Sequence, residues 1–396
     1  MSAGPLLLAN IGAEEGDEWR QRSAFGPVAT LARLWTALFG AAARSIGPDG
    51  IPAAAPASAE PPVFPWLALD DAVHAWLNTA EAKRIAEALE RPLAGPTPEV
   101  VARVHDKAFA HRTALSERLI PPSLRGRVEI LEPELLRESD AAVAQIDAVL
   151  SAWPEAAAQR FTLKPRFGSS GRGRVSGGGG RSDTPEIRGA LRRLADRGGA
   201  LLEPWLERTA DLSTQLYVSP ERNVLLLGTL EQRIAPSGLF VGHQGYVDAR
   251  GRVHAGDAHD EPLREPAALA AAAAAAEGYT GPCGVDAFAF RTTDGQQELR
   301  CISEFNARAT VGLVVVGLLK RALPSLKAGI GIAAEERRAF HFALDAPDGG
   351  WPAADPRDGL QLVPLWQEGD ASHPALLVGR TREEIDTALS VSSERE

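Results

Sequence analysis

Glu304-Phe305-Asn306-Ala307-Arg308, with Asp286 eighteen residues earlier, decides how this chain is read. Side chains alternate along a strand, so Glu304 and Asn306 share a face. Asp, Glu and Asn are hard oxygen donors, and two carboxylates beside an amide make an open, oxygen-lined site. Mg²⁺ suits such a site, because it takes one or two carboxylates and leaves its other positions to water and phosphate oxygens. Arg308, on the same side, adds a planar cationic fork for a phosphoryl or carboxylate group. The plain alternative is a strand end whose polar residues face water.

Parity tests the arrangement. A two-residue Asp294-Gly295 turn would pair Thr293 with Gln296 and leave Asp286 on the opposite face from Glu304. A three-residue loop, Thr293-Asp294-Gly295, has glycine at the left-handed third position that such loops favour. It pairs Thr292 with Gln296 and puts Asp286 on the face of Ile302, Glu304 and Asn306. The metal reading requires an odd-length connection.

A matching phosphate-binding half stands upstream in Phe161-Thr-Leu-Lys-Pro-Arg-Phe-Gly-Ser-Ser-Gly-Arg-Gly-Arg-Val175. An apolar strand delivers Lys164, Pro165 ends the regular ladder, and Gly168, Ser169, Ser170, Gly171 and Gly173 follow. Glycines let backbone approach an anion closely, and successive N–H groups can turn inward on phosphate oxygens. A Walker loop would carry its lysine after the glycines and a helix behind them; here the lysine precedes. The apolar-cationic run after the loop reads as a returning strand, so the loop sits at a hairpin tip. The alternatives are a flexible Gly/Arg linker or an RGG-like nucleic-acid segment. The second is disfavoured because single-strand binders add stacking aromatics, and this loop has only Phe167.

Together these residues resemble the ATP-grasp superfamily. His105-Asp106-Lys107, opening a helical stretch over 106 to 118, looks like its first lysine element, and Lys164 like its second. Leu202-Glu203-Pro204-Trp205-Leu206 looks like the adenine hinge, with Asp211 where the ribose-binding acid is expected. Gly281 to Asp286 and Glu304-x-Asn306-x-Arg308 look like the metal strands. The resemblance covers roughly residues 105 to 320. The opening Pro5 to Glu15 and the Arg91 to Pro98 run look like the α/β domain that precedes the ATP-grasp fold in one branch, which includes bacterial peptide ligases.

The resemblance implies an α/β fold in four parts. These are a pre-ATP-grasp α/β domain over 1-104, a lobe with the Gly-rich loop over 105-210, a metal-binding lobe over 211-330, and a small C-terminal α/β extension over 331-396. It implies ATP and one or two Mg²⁺ ions, with Mn²⁺ as an alternative. Lys107, Lys164, Gly168, Ser169, Ser170 and Gly171 would hold phosphates, and Glu203, Trp205, Leu206 and Asp211 the adenosine. Asp286, Glu304 and Asn306 would hold metal, while Arg308 and Lys164 act in catalysis. The implied activity joins a small-molecule carboxylate to an amine, amino acids or a peptide among them, through an acylphosphate. A kinase, another phosphotransferase and a nucleotide-binding regulatory protein remain as alternatives, and a homodimer is open.

Composition agrees with an ordinary soluble enzyme. The chain has 396 residues and is 44% hydrophobic, enough for two or three cored domains. Its net charge of −10 argues against nucleic acid or an anionic membrane as main partner. Two cysteines, Cys283 and Cys301, make no disulfide framework, so a reducing cytoplasm is expected. The apolar run Leu6 to Ala9 lacks a basic region before it, and no stretch of about 20 apolar residues exists.

Periodicity places a buried strand at 5 to 11 and helices at 25 to 40, 79 to 90, 139 to 152, 185 to 197 and 312 to 322. Residues 47 to 65 read as a loop. Strands are expected at 160 to 164, 200 to 203, 212 to 219 and 223 to 232. Segment 264 to 277 is nearly all alanine, with Pro266 placed for the first turn of a helix. The tail after 331 reads as a helix, two short strands at 360 to 366 and 375 to 378, and a last helix opened by the capping box Thr381-x-x-Glu384. His254-x-x-Asp257-x-His259-Asp260 lacks helical metal-ligand spacing and reads as a polar loop. Asn10, Glu14 and Glu15 follow the first strand, at the edge where α/β sheets bind ligands. Arg233 has a phosphate or a structural partner, and His243 is a candidate substrate contact.

Overall fold

The computed structural model describes residues 4–16, 18–23, 25–40, 43–52, 61–67, 71–168, 172–179, 181–235, 240–366 and 372–393. Ser169, Ser170 and Gly171 lie outside the described residues.

Three sheets form among the described residues. The first is parallel, with β1 (Leu6–Leu8) between β2 (Arg44–Ile46) and β3 (Val73–Ala75). All three β1 leucines are buried, as befits a parallel strand covered on both faces. Helices Gly26–Ala37 and Ala80–Ala88 carry the apolar positions seen in the sequence.

The second sheet is antiparallel and contains β4 (Glu129–Leu131), β5 (Arg160–Pro165), β6 (Val175–Gly178) and β7 (Ala200–Pro204), in the order β4-β7-β5-β6. Phe161 and Leu163 of β5 and Ala200 and Leu202 of β7 point into a core shared with helices Ser139–Ala152 and Pro185–Asp196. The alternate residues, Thr162, Lys164, Leu201 and Glu203, therefore face the other way, into a cleft.

The third sheet has nine strands: β8 (Glu207–Val218), β9 (Val224–Ile234), β10 (Phe240–Asp248), β11 (Val253–His254), β12 (Gly281–Arg291), β13 (Gln297–Asn306), β14 (Arg337–Ala343), β15 (Gln361–Pro364) and β16 (Ala375–Gly379). Their order is β13-β12-β8-β9-β11-β10-β14-β16-β15. Helices Asp257–Ala276 and Val311–Gly329 pack against it. In the first of these, Ala267, Ala270, Ala271, Ala274 and Ala275 are buried at helical spacing. Their small side chains let the helix lie close on the strands while favouring helix intrinsically.

Two expectations are corrected. The alanine helix begins at Asp257, not near Pro266, so Pro262 and Pro266 both lie inside it. Among the described residues, the tail has no helix between residues 331 and 360 beyond the short 3-10 turn Pro356–Asp358. Its place is taken by β14, where Phe340 and Phe342 alternate with Ala339 and His341 and all four are buried. The tail thus extends the nine-stranded sheet through β14-β16-β15. The last helix, Arg382–Ser393, forms with Glu384 N–H donating to Thr381 Oγ1 at 3.2 Å. No helix among the described residues is long and apolar enough to cross a membrane.

Candidate active site

The β12–β13 hairpin closes through the odd-length connection that parity required. Thr292 N–H donates to the Gln296 carbonyl at 2.9 Å, and Gly295 adopts a φ of +84°. A register shift of two residues between Asp286 and Phe288 preserves the faces and sets Asp286 directly opposite Glu304. Asn306 Nδ2 donates to Asp286 Oδ2 at 3.0 Å. On its other oxygen, Asp286 accepts from Ser213 at 2.8 Å and Gln232 at 3.0 Å. Gln215, fully buried, donates to Ser213 Oγ at 2.8 Å and accepts from Thr310, so a polar chain fixes the carboxylate from behind.

Burial raises the Asp286 carboxyl to about 6, and the negative charge of Glu304 adds to the rise. Among the described residues no three His, Cys, Asp or Glu side chains are grouped so as to hold a metal ion by themselves. The donor set is instead two mutually repelling carboxylates and one amide. That set fits a divalent, oxygen-seeking ion with open positions, which would relieve the repulsion that raises Asp286.

The lysines stand across the cleft. Asp106 caps helix Lys107–Ser116 by accepting the Ala108 N–H at 2.8 Å, which aims Lys107 inward. Lys107 Nζ donates to the Gly168 carbonyl at 2.7 Å and lies 3.1 Å from Glu304 Oε1. Arg166 ties this helix to the loop by binding Asp106 and Glu132. Lys164 is ion-paired with Glu203, and Arg300 Nη1 reaches the second Glu203 oxygen at 2.7 Å. Burial lowers the Lys164 ammonium to about 8, against the opposing pull of Glu203. Burial also works to raise the Glu203 carboxyl, but Lys164 and Arg300 outweigh it and hold it well below the usual carboxylate range.

All the described candidates line one cleft of about 520 Å³: Lys107, Lys164, Gly168, Glu203, Trp205, Leu206, Asp211, Asp286, Glu304, Asn306 and Arg308. Several do so differently from expectation. The Glu203 carboxylate, expected at the adenosine end, is held by the two cations Lys164 and Arg300. Trp205 is half-buried between the guanidiniums of Arg160 and Arg174, at 5.0 and 4.9 Å from its ring centre, and its backbone N–H donates to the Arg160 carbonyl at 2.8 Å. Asp211 pairs with Arg208, whose guanidinium lies 4.2 Å over the Phe288 ring. Arg308 donates to the Ala309 carbonyl at 3.0 Å and lies 3.4 Å from Glu14 Oε1.

His105 is a residue whose role the sequence did not show. Burial, with the charge of Arg308, lowers it to about 4, so it is neutral at pH 7. Its Nδ1 accepts the Ala307 N–H at 3.2 Å and so pins the turn between Asn306 and Arg308. His243 lines the cleft, buried, with its Nδ1 3.3 Å from the Glu231 carbonyl. Arg233 does not line it; its guanidinium lies 2.7 Å from His341. Asn10 is structural, exchanging two hydrogen bonds with Leu77. His254, on β11, pairs at 2.7 Å with Asp260, and Asp257, His259 and Asp260 open a helix rather than forming a loop.

No protein-family model and no curated protein matches the sequence. Solved structures do match the fold. One is a carboxyaminoimidazole ribonucleotide synthase of Aspergillus clavatus complexed with ATP, 16% identical with a TM-score of 0.52, covering 100% of this chain and 99% of that one. A second is the biotin carboxylase domain dimer of Hydrogenobacter thermophilus 2-oxoglutarate carboxylase, in complex with ADP, its magnesium salt and bicarbonate. It is 15% identical with a TM-score of 0.51, over 98% of this chain and 90% of that one. Rhizobium etli pyruvate carboxylase is 15% identical with a TM-score of 0.54, over 98% of this chain and 37% of that one. The fold is therefore the α/β ATP-grasp fold preceded by an α/β domain.

Proposed function

We propose that the chain is an ATP- and Mg²⁺-dependent carboxylate–amine ligase that activates the acid as an acylphosphate and releases ADP and phosphate. The observation that carries this reading is the convergence of Lys107 and Lys164 with Asp286, Glu304 and Asn306 in one cleft of this fold. Structures of the same fold were solved with ATP, ADP and MgADP.

In this reading the site acts by charge neutralisation and positioning, as phosphoryl transfer demands. Lys107 and Lys164 hold phosphate oxygens, and Gly168, Ser169, Ser170 and Gly171 are assigned to the same phosphates. Asp286, Glu304 and Asn306 would hold Mg²⁺, which supplies positive charge to the terminal phosphates. Glu203, Trp205, Leu206 and Asp211 form the adenosine end. Arg300 matters here: when Lys164 turns to phosphate, Glu203 keeps a cationic partner and is not left buried alone. Arg308 steadies the group being transferred. Within this class, an amino acid or peptide as acid or amine is the narrower reading.

A screen for nucleotide products over mixed carboxylates and amines tests the proposal. The expected result is carboxylate-dependent ADP, with hydroxylamine trapping the acyl group as a hydroxamate. AMP and pyrophosphate would instead mean adenylation, and ATP binding without turnover would favour a regulatory protein.

A further inference from the structure

A second cavity of about 280 Å³ lies behind Arg308, between the N-terminal domain and the nine-stranded sheet. Trp35, Phe39, Trp66, Trp76, Tyr217 and Tyr279 line it, in a chain that is only 6% aromatic. They come from separated segments and are locked by ring contacts. Trp66 stacks on Tyr217 at 4.3 Å and on Phe64 at 4.9 Å, and Trp76 meets Trp35 edge-on at 5.6 Å.

Arg308 lines both this cavity and the charged cleft, and among the described residues no other lysine, arginine, aspartate or glutamate lines the second cavity. Its Nε is buried with no hydrogen-bond partner among the described residues. A buried donor without a partner costs free energy, and an acceptor arriving beside Arg308, whose other nitrogens meet the Ala309 carbonyl and Glu14, would satisfy it. A cavity of about 150 Å³ takes a benzene ring, so this one has room for a larger aryl or indolyl group. Its walls offer flat faces for offset or edge-on ring contacts.

We infer that this cavity binds the acid substrate, and that the substrate is an aromatic carboxylic acid. The ring sits among Trp35, Trp66, Trp76 and Tyr217, and the carboxylate meets Arg308 at the mouth of the charged cleft. The cavity has no lining carboxylate among the described residues to neutralise an ammonium, so it favours an acid without a free α-amino group. This inference rests on the ligase reading, of which it names the substrate class.

Two measurements on the full chain separate the inference from that reading. Direct binding is measured first, by calorimetry, with phenylacetate, indole-3-acetate, hexanoate, tryptophan and the uncharged indole-3-ethanol. Indole-3-acetate is expected to bind about tenfold or more tighter than hexanoate, tryptophan or indole-3-ethanol. Trp66→Ala is expected to erase that preference; Thr280→Trp, which fills the cavity from its half-exposed rim, serves should Trp66→Ala fail to fold. A non-hydrolysable ATP analogue with Mg²⁺ should not displace the aryl acid. Displacement would place the acid in the nucleotide cleft and overturn the inference, as would equal affinity for hexanoate. Carboxylate-dependent ADP release is measured second, with the same acids. Turnover on aliphatic acids alone overturns the inference and leaves the ligase reading standing. Tight, Trp66-dependent aryl-acid binding without ADP from any acid keeps the site and overturns the ligase reading.

Discussion

Two hairpins face each other across the charged cleft, and they hold their chemistry in opposite ways. The β12–β13 hairpin presents Asp286, Glu304 and Asn306 from paired strand positions, with the polar side chains Ser213, Gln215 and Gln232 behind them. The β5–β6 hairpin presents Lys164 from a strand, but its glycines sit in the connection. One site is set by register, the other by which carboxylate each lysine meets. Strand parity is written in sequence; charge pairing across sheets is not.

The largest effect should come from the register-set side. Asp286→Asn and Glu304→Gln are expected to lower Mg²⁺-supported turnover by about 10³-fold or more while the protein stays folded. Asp286→Asn should also raise the metal-free melting temperature. The raised carboxyl binds its proton in the folded state at a pH where the unfolded chain has released it. Its contribution to stability therefore falls as pH rises from about 4 to about 6. By the same sign, Mg²⁺ protection against thermal unfolding should weaken as pH drops below about 6, where a proton competes for Asp286. Equal Mg²⁺ protection at pH 5 and pH 8 would show that Asp286 is not a ligand.

The two lysines sharpen the comparison. Each should cost an ATP analogue roughly 1.5–3 kcal/mol of binding when changed to Ala, against none for the exposed Lys83→Ala. Their stabilities should differ. Lys164→Ala strips a partner from Glu203, which is 3% exposed, and should cost on the order of 2–4 kcal/mol in denaturant unfolding. Lys107→Ala leaves Glu304, which is more exposed than Glu203, and should cost less than Lys164→Ala. Adding Glu203→Gln to Lys164→Ala should recover part of the loss; no recovery would mean the Lys164–Glu203 pair is not what stabilises this face.

The smallest effect belongs to the turn. Gly295 has open space where a Cβ would stand but a φ of +84°, so Gly295→Ala should cost only about 1 kcal/mol, with turnover unchanged in the folded protein. A lost Mg²⁺ response in that variant would show that the loop, not the strand register, sets the metal face.

These contrasts also show what is legible in the chain alone. The odd-length turn, the strand faces and the alanine helix follow from local rules of alternation and propensity. Arg300 shares the parity of Glu304 and Asn306, yet its partner Glu203 lies 97 residues away on another sheet. Nothing local announces that pairing. The segment of β14 reads as helix because a strand covered on both faces loses the polar alternation that marks a half-exposed one. Pro266 reads as a helix boundary because an interior proline forfeits a backbone hydrogen bond, yet Pro262 and Pro266 both sit inside this packed helix. The aromatic cavity is invisible in sequence for the simplest reason: Trp35, Trp66, Trp76 and Tyr217 share no period and meet only when the domains pack.

The most direct test is a crystal structure with a non-hydrolysable ATP analogue and Mg²⁺. The account predicts phosphate oxygens within hydrogen-bonding reach of Lys107 and Lys164, and a metal ion ligated by Asp286, Glu304 and Asn306. A nucleotide bound elsewhere, or a metal that leaves Asp286 and Glu304 uncoordinated, would contradict it.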